Sequence, residues 1–356
     1  MPATKDSERN TWTSQFYYTD WQGIKKKKKK RGFETKKAAQ DYEREFLLKQ
    51  SNDNTMTFKS LYDLYIEDMG TRLRKSTIST KKYIIELKIL PYFKDRPINE
   101  IKPTDIRKWQ NKLLKNDKDY SATYLKAINN QLTAMFNYAV KYYDLKENPC
   151  HKAGSIGKSN ADQMQFWTMQ EYNRFIECIS DREQSKAAFE TLYWTGMRIG
   201  ELMALTLKDI DFDNKTISIN KSIQRLAKED IVTAPKTPKS NRIIPITDTL
   251  IDDLRDYTNK LYDLKPTDRI FNINKYFLHY EMDRGCKKSG VKRIRLHDLR
   301  HSHASLLIEL GFTPLIIAER LGHEKIETTL NTYSHLYPNK QSQVVDALQK
   351  LQTEPN

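Results

Sequence analysis

Two short polar stretches constrain how this chain of 356 residues can fold. Residues 51–55 (SNDNT) and 150–163 (CHKAGSIGKSNADQ) are small and polar, and the second carries two glycines, Gly154 and Gly157. Neither pattern can carry a hydrophobic core through it, so both read as linkers. Three units are expected, at residues 1–50, 56–149 and 164–356, and the length suits two or three domains.

The three pieces differ in pattern. In the first, residues 13–20 (TSQFYYTD) mix aromatic and β-favouring side chains and predict a strand, and Asp20-Trp21-Gln22-Gly23 predicts a turn. From Thr35 the spacing becomes helical, with Ala38, Ala39, Tyr42 and Phe46 on one face. Three short strands and one helix are the expected content. Between them runs Lys25, Lys26, Lys27, Lys28, Lys29, Lys30 and Arg31. Seven consecutive cations form either a solvated loop or a set of phosphate contacts; a nuclear-localisation signal is a weaker reading. A small sheet can place a strand in the major groove, with the run beside phosphates.

The middle piece is almost wholly helical. Phe58, Leu61, Leu64 and Tyr65 make one apolar stripe, and Leu125, Ile128, Leu132, Met135, Phe136 and Ala139 another. Pro91, Pro97 and Pro103 mark helix ends, which predicts four or five helices around a core. Lys81, Lys82, Lys126 and Lys141 either face DNA or are simply solvated. The last piece is mixed. Helices are expected near 168–180 and 184–195, strands near 216–222, 229–233 and 241–246, and helices from 248 onward.

The net charge of +15, with a pI near 9.4, requires an anionic partner. Nucleic acid leads, because each cation that replaces a counterion at a phosphate adds affinity. A membrane partner is not expected: mean hydropathy is −0.77, and no run approaches the roughly 18 apolar residues of a spanning helix. No apolar stretch follows the first charges, so a secretory signal is not expected either. The three cysteines, Cys150, Cys178 and Cys286, fit neither a disulfide framework nor a metal pair, which suggests a reducing cytoplasm.

The last piece also carries the groups needed to cut a phosphodiester. The reacting phosphate gains negative charge in the transition state, so fixed cations must face it. A nucleophile must attack, and the leaving oxygen needs a proton. Arg198 sits between two glycines in TGMRIGEL, where a guanidinium can be held rigidly, although a surface arginine at a helix junction would look the same. His297 and Arg300 lie one helical turn apart in LHDLRHSHAS. His297 and His301 at i, i+4 also suit a metal, but Arg300 would then sit beside the cation, and no metal is expected. His301 and His303 are expected to pack or hydrogen-bond within the helix start. His323 follows in Gly322-His323, and Tyr333 in Thr332-Tyr333-Ser334-His335. Tyr333 is one of twenty tyrosines and says little alone.

Together, Arg198, His297-x-x-Arg300, Gly322-His323 and Tyr333 resemble the signature of the tyrosine recombinases, the phage-integrase family. The likeness covers most of the chain and is strongest over residues 165–337. It implies that Arg198 and Arg300 clamp the scissile phosphate. It implies that His297 and His323 bond its oxygens or shuttle protons, and that Tyr333 attacks to leave a 3′-phosphotyrosine and a 5′-hydroxyl. The family uses a hairpin lysine as general acid. Lys236, in Pro235-Lys236-Thr237 between two expected strands, matches it, with Lys239 as rival. Glu201 matches an acidic position and would orient a neighbouring cation.

The order W…FYYTD…KKKKKKRGFETKKAAQDY also resembles the arm-binding domain of integrases. The implied fold is multidomain and mainly α. It comprises a small β-sheet-plus-helix N-terminal domain, a helical core-binding domain of the SAM-like kind, and a mixed α/β tyrosine-recombinase catalytic domain with a tail helix. The implied function is an integrase that joins and excises a mobile element of phage or conjugative kind in the bacterial cytoplasm. It would act as a homo-tetramer on core-type and arm-type double-stranded DNA sites, with room for an excisionase and a host DNA-bending protein. Val344, Val345, Leu348 and Leu351 in the tail would dock on a neighbouring protomer. No cofactor is expected, because the phosphotyrosine keeps the energy of the broken bond and no Walker-type loop is present. The competing readings are a tyrosine resolvase, a DNA-binding regulator without chemistry, and a type IB topoisomerase.

Overall fold

The computed structural model describes residues 3–6, 10–19, 25–50, 56–115, 119–159, 164–226, 229–235, 237–337 and 349. The turn expected at 20–23, Lys236 and the apolar tail residues Val344, Val345, Leu348 and Leu351 lie outside them. The chain divides into two compact units, Met1–Asp162 and Gln163–Asn356.

The first unit begins with an antiparallel sheet of β1 (Thr4–Asp6), β2 (Thr11–Thr19) and β3 (Lys25–Phe33), in that order, followed by α1 (Lys36–Gln50). The loop reading of the lysine run is therefore corrected: the run is a strand. Its partner β2 supplies the reason. Phe16, opposite Lys28, is 2% exposed and lies 5.2 Å from the Phe46 ring of α1. Successive lysines alternate between faces, which spaces same-face charges by about 7 Å. Their ammonium groups stay exposed beside aromatic rings, Lys28 at 5.4 Å from Phe46, Lys30 at 4.6 Å from Tyr42 and Lys27 at 5.8 Å from Tyr17. Cation–π attraction and snorkelling stems make the strand tolerable.

A helical bundle follows: α2 (Phe58–Arg72), α3 (Lys75–Lys88), α4 (Leu90–Phe93), α5 (Pro103–Leu114), α6 (Ala122–Tyr142) and α7 (Pro149–Ala153). The two expected stripes meet in one core around Phe58, Phe93, Trp109, Leu132 and Phe136. Pro91 and Pro103 open helices rather than end them, as proline does where no N–H is needed. Lys81 is not simply solvated: its ammonium donates to Tyr65 Oη and Gln131 Oε1, both at 2.9 Å. The stretch read as a linker from residue 150 is in its first half part of this bundle. Cys150, Ala153 and Ile156 are buried in its core, and Gln110 Nε2 donates to Gly154 O at 2.8 Å.

The second unit starts with α8 (Met169–Ile179), α9 (Glu183–Thr195) and α10 (Ile199–Leu202). The strands are β4 (Ile210–Asp211), β5 (Thr216–Ile219), β6 (Ser222–Leu226), β7 (Glu229–Thr233) and β8 (Arg242–Pro245). They form a three-stranded sheet β4-β5-β8 and a separate hairpin β6-β7. The single strand expected at 216–222 is thus two strands in two sheets. Buried Asp209 causes the break, since Asn220 Nδ2 donates to it at 3.0 Å and Lys221 pairs with it. β7 and β8, consecutive in the chain, thus belong to different sheets.

Five more helices follow: α11 (Asp248–Asn259), α12 (Lys275–Ser289), α13 (Asp298–Glu309), α14 (Pro314–Leu321) and α15 (Ile326–Tyr333). Most apolar side chains of this unit join one core. Ala304, Ile308, Ile317, Leu321 and Tyr333 make a smaller second core. Among the described residues no helix is long and apolar enough to cross a membrane.

Removing a buried phenylalanine costs roughly 3–5 kcal/mol, a large share of what so small a sheet can hold. Phe16→Ala is therefore expected to open the N-terminal sheet. Limited trypsin digestion should cut the lysine strand much faster in this variant, while the urea midpoint of residues 163–356 stays unchanged.

Candidate active site

The site begins where α9 ends. Gly196 closes the helix in the left-handed region at φ +64°, its N–H donating to Leu192 O at 3.1 Å. A Cβ here would lie 2.7 Å from both His303 Cδ2 and Leu321 Cδ2, so only glycine fits. The chain then turns so that Arg198 becomes the residue preceding α10.

Glu201, on the first turn of α10, fixes Arg198 twice. Its Oε2 accepts the Arg198 backbone N–H at 2.9 Å, and its Oε1 accepts the guanidinium at 2.8 Å. Arg242 of β8 donates to Glu201 Oε2 at 3.0 Å and to Arg320 O at 2.9 Å. Burial favours a protonated Glu201, but Arg242 and Arg198 outweigh it and hold the carboxyl below its usual range. Arg198 keeps a side chain 38% exposed, so its outer donors remain open to a ligand.

Arg300, on the first turn of α13, is 3% exposed. Its Nη1 donates to Gly196 O at 2.9 Å and its Nη2 to Leu321 O at 2.6 Å. One guanidinium thus joins three distant words of the sequence, TGMRIGEL, LHDLRHSHAS and LGH. Burial, then Arg198 and Arg242, push it down to about 9, which leaves it a cation at neutral pH.

The histidines surround this cluster. His323 follows Gly322, and its Nδ1 pairs with buried Thr329 Oγ1 at 2.7 Å. Burial and the charges of Arg300, Arg198 and Arg242 push its imidazole down to about 3. His297 is exposed on one side and crowded on the other; that crowding, then Arg300 and Arg198, lowers it too. Tyr333 closes α15 and is 1% exposed, and burial pushes its phenol up to about 12 despite the pull of Arg300. The structure therefore gathers Arg198, Glu201, His297, Arg300, His323 and Tyr333. Lys239, the rival to Lys236, is exposed.

Three features were not foreseen. His301 packs against His297 and faces Asp298 at the helix start, but its hydrogen-bond partner comes from elsewhere. Its Nδ1 lies 2.7 Å from Tyr333 Oη, a partner 32 positions away. His303 is buried under Gly196, where its Nε2 accepts from Arg320 Nε at 3.0 Å. Arg242, six positions after Lys236, shares Glu201 with Arg198. Proximity in sequence gave no signal for any of these. Among the described residues no three His, Cys, Asp or Glu side chains are grouped to hold a metal ion.

Chemically, this is a cationic recess with neutral imidazoles and a buried phenol, which suits attack on a phosphate monoanion. The profile of the phage integrase family matches residues 165–340, its N-terminal SAM-like domain residues 57–114, and an arm DNA-binding domain residues 2–50. The ICEBs1 integrase of Bacillus subtilis (strain 168) is 31% identical over 314 residues, spanning 83% of this chain and 84% of that protein. The chain belongs to the phage integrase family. This integrase is a tyrosine recombinase, an enzyme that cuts and rejoins DNA. A XerC-like tyrosine recombinase of Caldanaerobacter subterraneus subsp. tengcongensis is 28% identical, over 71% of this chain and 72% of that one. The Tn1549 transposon integrase, solved with a circular intermediate DNA, shares the fold at a TM-score of 0.69 and 20% identity, over 83% of this chain and 99% of that chain. The expected three-part fold is that of the integrase.

Two expectations follow. Gly196→Ala forces a side chain into occupied space at a positive φ, which costs at least about 2 kcal/mol. It should lower the urea midpoint and slow DNA cleavage more than tenfold, because Arg300 bonds the carbonyl of that residue. The histidines give a pH signature. His301, His303 and His323 are pushed to about 4, 3 and 3 from an ordinary 6.5, chiefly by burial. Each binds its proton more readily unfolded, so stability is full above pH 6.5 and falls as pH drops toward 4. Urea midpoints of the integrase should decline from pH 6.5 to 4.5, above the range where most carboxylates titrate. A flat profile would mean these imidazoles are charged in the folded state.

Proposed function

We propose that Tyr333 is the nucleophile of this integrase and that Arg198, Arg300, His297 and His323 form the cradle of the scissile phosphate. The observation that carries this reading is the Arg300 guanidinium bonded to Gly196 O and Leu321 O. It brings one cation beside Arg198 and His323, and its charge bears on Tyr333. The phosphate binds between the two arginines, whose donors strengthen as charge grows on its oxygens. Tyr333 attacks phosphorus, the bond to the 5′-oxygen breaks, and Lys236 supplies the proton that the leaving oxygen takes. Glu201 positions Arg198 and Arg242. The 5′-hydroxyl of a partner strand then attacks the phosphotyrosine and restores the bond, so the cycle needs neither nucleotide nor metal.

Relatives named as integrases of ICEBs1 and of the Tn1549 transposon support a role in integrating and excising a mobile element. In this reading Lys25 to Lys30 and Arg31 grip arm-type DNA, and residues 56–149 and 164–356 hold the core-type site. The active form is a homo-tetramer on DNA in the cytoplasm, tied together by the tail, with an excisionase and a host DNA-bending protein as accessory partners.

The test is a trapped adduct. Wild type and Tyr333→Phe are incubated with duplexes made from the element's own ends, nicked just past the cleavage point, without metal or ATP. A denaturing gel should show a protein–DNA adduct with wild type only. An adduct with Tyr333→Phe would move the nucleophile to another residue. Specific binding without an adduct in either protein would favour a regulator.

A further inference from the structure

We propose that His301 is the general base for Tyr333, its Nδ1 taking the phenol proton as the phenol oxygen attacks phosphorus. This rests on Tyr333 being the nucleophile. The ring nitrogen and the phenol oxygen are 2.7 Å apart, within reach for direct transfer. The ring stands edge-on to Tyr333 with centroids 5.6 Å apart.

The geometry selects the direction of this bond. His301 Nε2 faces Asp298 Oδ1 at 4.0 Å. Asp298 is 2% exposed, and Arg295 holds it through its backbone N–H at 2.9 Å and its guanidinium at 2.8 Å. A carboxylate on that side favours the tautomer with hydrogen on Nε2, which leaves the Nδ1 lone pair to accept from the phenol. The order Asp298, His301, Tyr333 has the logic of a nucleophile, its base and a group that orients the base. The groups facing His301 are Tyr333 from α15, His297, Asp298, Arg295 and Arg300 around the start of α13, and His323 beyond α14.

The step balances. The Nδ1 lone pair takes the phenol proton, the phenol oxygen bonds phosphorus, and the bond to the 5′-oxygen breaks with its electron pair. That oxygen takes its proton from Lys236, the general acid of the proposed function. His301 is then an imidazolium beside Asp298, and it returns the proton to the phenol oxygen when the 5′-hydroxyl attacks. Burial and neighbouring cations keep His301 neutral at rest, so it is ready to accept. A seated phosphate anion offsets Arg300 and His297 and raises the basicity of His301 as the reaction begins.

The test measures single-turnover cleavage of the nicked element-end duplex by wild type, His301→Ala and His301→Asn from pH 5.5 to 9, with duplex affinity and melting temperature as controls. Wild type should vary little between pH 6 and 8. Both variants should bind normally and cleave about 100-fold more slowly, with rates rising about tenfold per pH unit as solvent base takes over. Asparagine can hold the phenol but cannot take its proton, so it should not rescue. Added imidazole should restore His301→Ala at least tenfold. Cleavage by His301→Asn within threefold of wild type would reduce His301 to a positioning residue. Faster cleavage by His301→Ala would make the bond a restraint on Tyr333. A slow variant with an unchanged pH profile and no response to imidazole would leave packing as its role. If His301→Ala does not fold, His301→Asn decides through its rate and pH slope. The adduct from Tyr333→Phe reports separately on the nucleophile.

Discussion

The active site depends on the burial of a single guanidinium. Taking an arginine out of water is costly unless its donors are satisfied. Arg300 is 3% exposed, and it donates to two backbone carbonyls, Gly196 O and Leu321 O, rather than to a carboxylate. Those carbonyls satisfy donors but do not neutralise the charge. Arg198 and Arg242 stand nearby and share one carboxylate, Glu201. Three guanidiniums against one carboxylate leave a surplus of positive charge, buried at Arg300 and open to a ligand at Arg198. A phosphodiester carries one negative charge at rest and more in its transition state. Fixed cations in surplus therefore favour the transition state over the bound ground state, which is the requirement for catalysis.

The same surplus adds to what burial does to the histidines. Burial disfavours the charged imidazole first, and the nearby guanidiniums add to the effect, so His297, His301 and His323 are all lowered. Neutral imidazoles can donate from one nitrogen and accept at the other, which imidazolium cannot. The arginines thus do two things: they attract the phosphate, and they keep the surrounding histidines able to accept protons. Glu201, paired with Arg198 and Arg242, limits the first effect.

Legibility from sequence followed the range of the interactions. Helices in the bundle were legible because each apolar stripe repeats within a few residues, as Leu125 to Ala139 do. Arg198, Arg300, His323 and Tyr333 were legible because short words surround them, with Gly196 and Gly322 giving the turns away. The lysine strand was not, because what makes it a strand is β2 and the Phe46 and Tyr42 rings of α1, not its own composition. The split after Ile219 depends on Asp209, ten positions earlier. The continuation of the helical bundle to Ile156 depends on Gln110 and Asn129 reaching back to it. His301 was read within its own helix, yet its partner arrives from a helix 32 positions on. Local pattern carries no information about such pairs; tertiary packing decides them.

The division of the catalytic unit into two cores adds one more consequence. Arg198 lies between α9 and α10 and Glu201 on α10, a stretch anchored in the large core by Leu192, Tyr193, Met197 and Leu202. Tyr333 instead belongs to the small core, with Ala304, Ile308, Ile317 and Leu321. Stability is not uniform across a structure, and an element held by little buried area opens at a smaller free-energy cost than one in the main core. At 1% exposure Tyr333 presents almost no surface to a phosphate, so attack requires some displacement of what covers it. Mounting the nucleophile on the small core allows that displacement while Arg198 and Glu201 stay anchored in the large one. Arg300 spans the two, since it lies on α13 and joins Gly196 O beside the large core to Leu321 O of the small one, so the clamp and the nucleophile share one buried guanidinium.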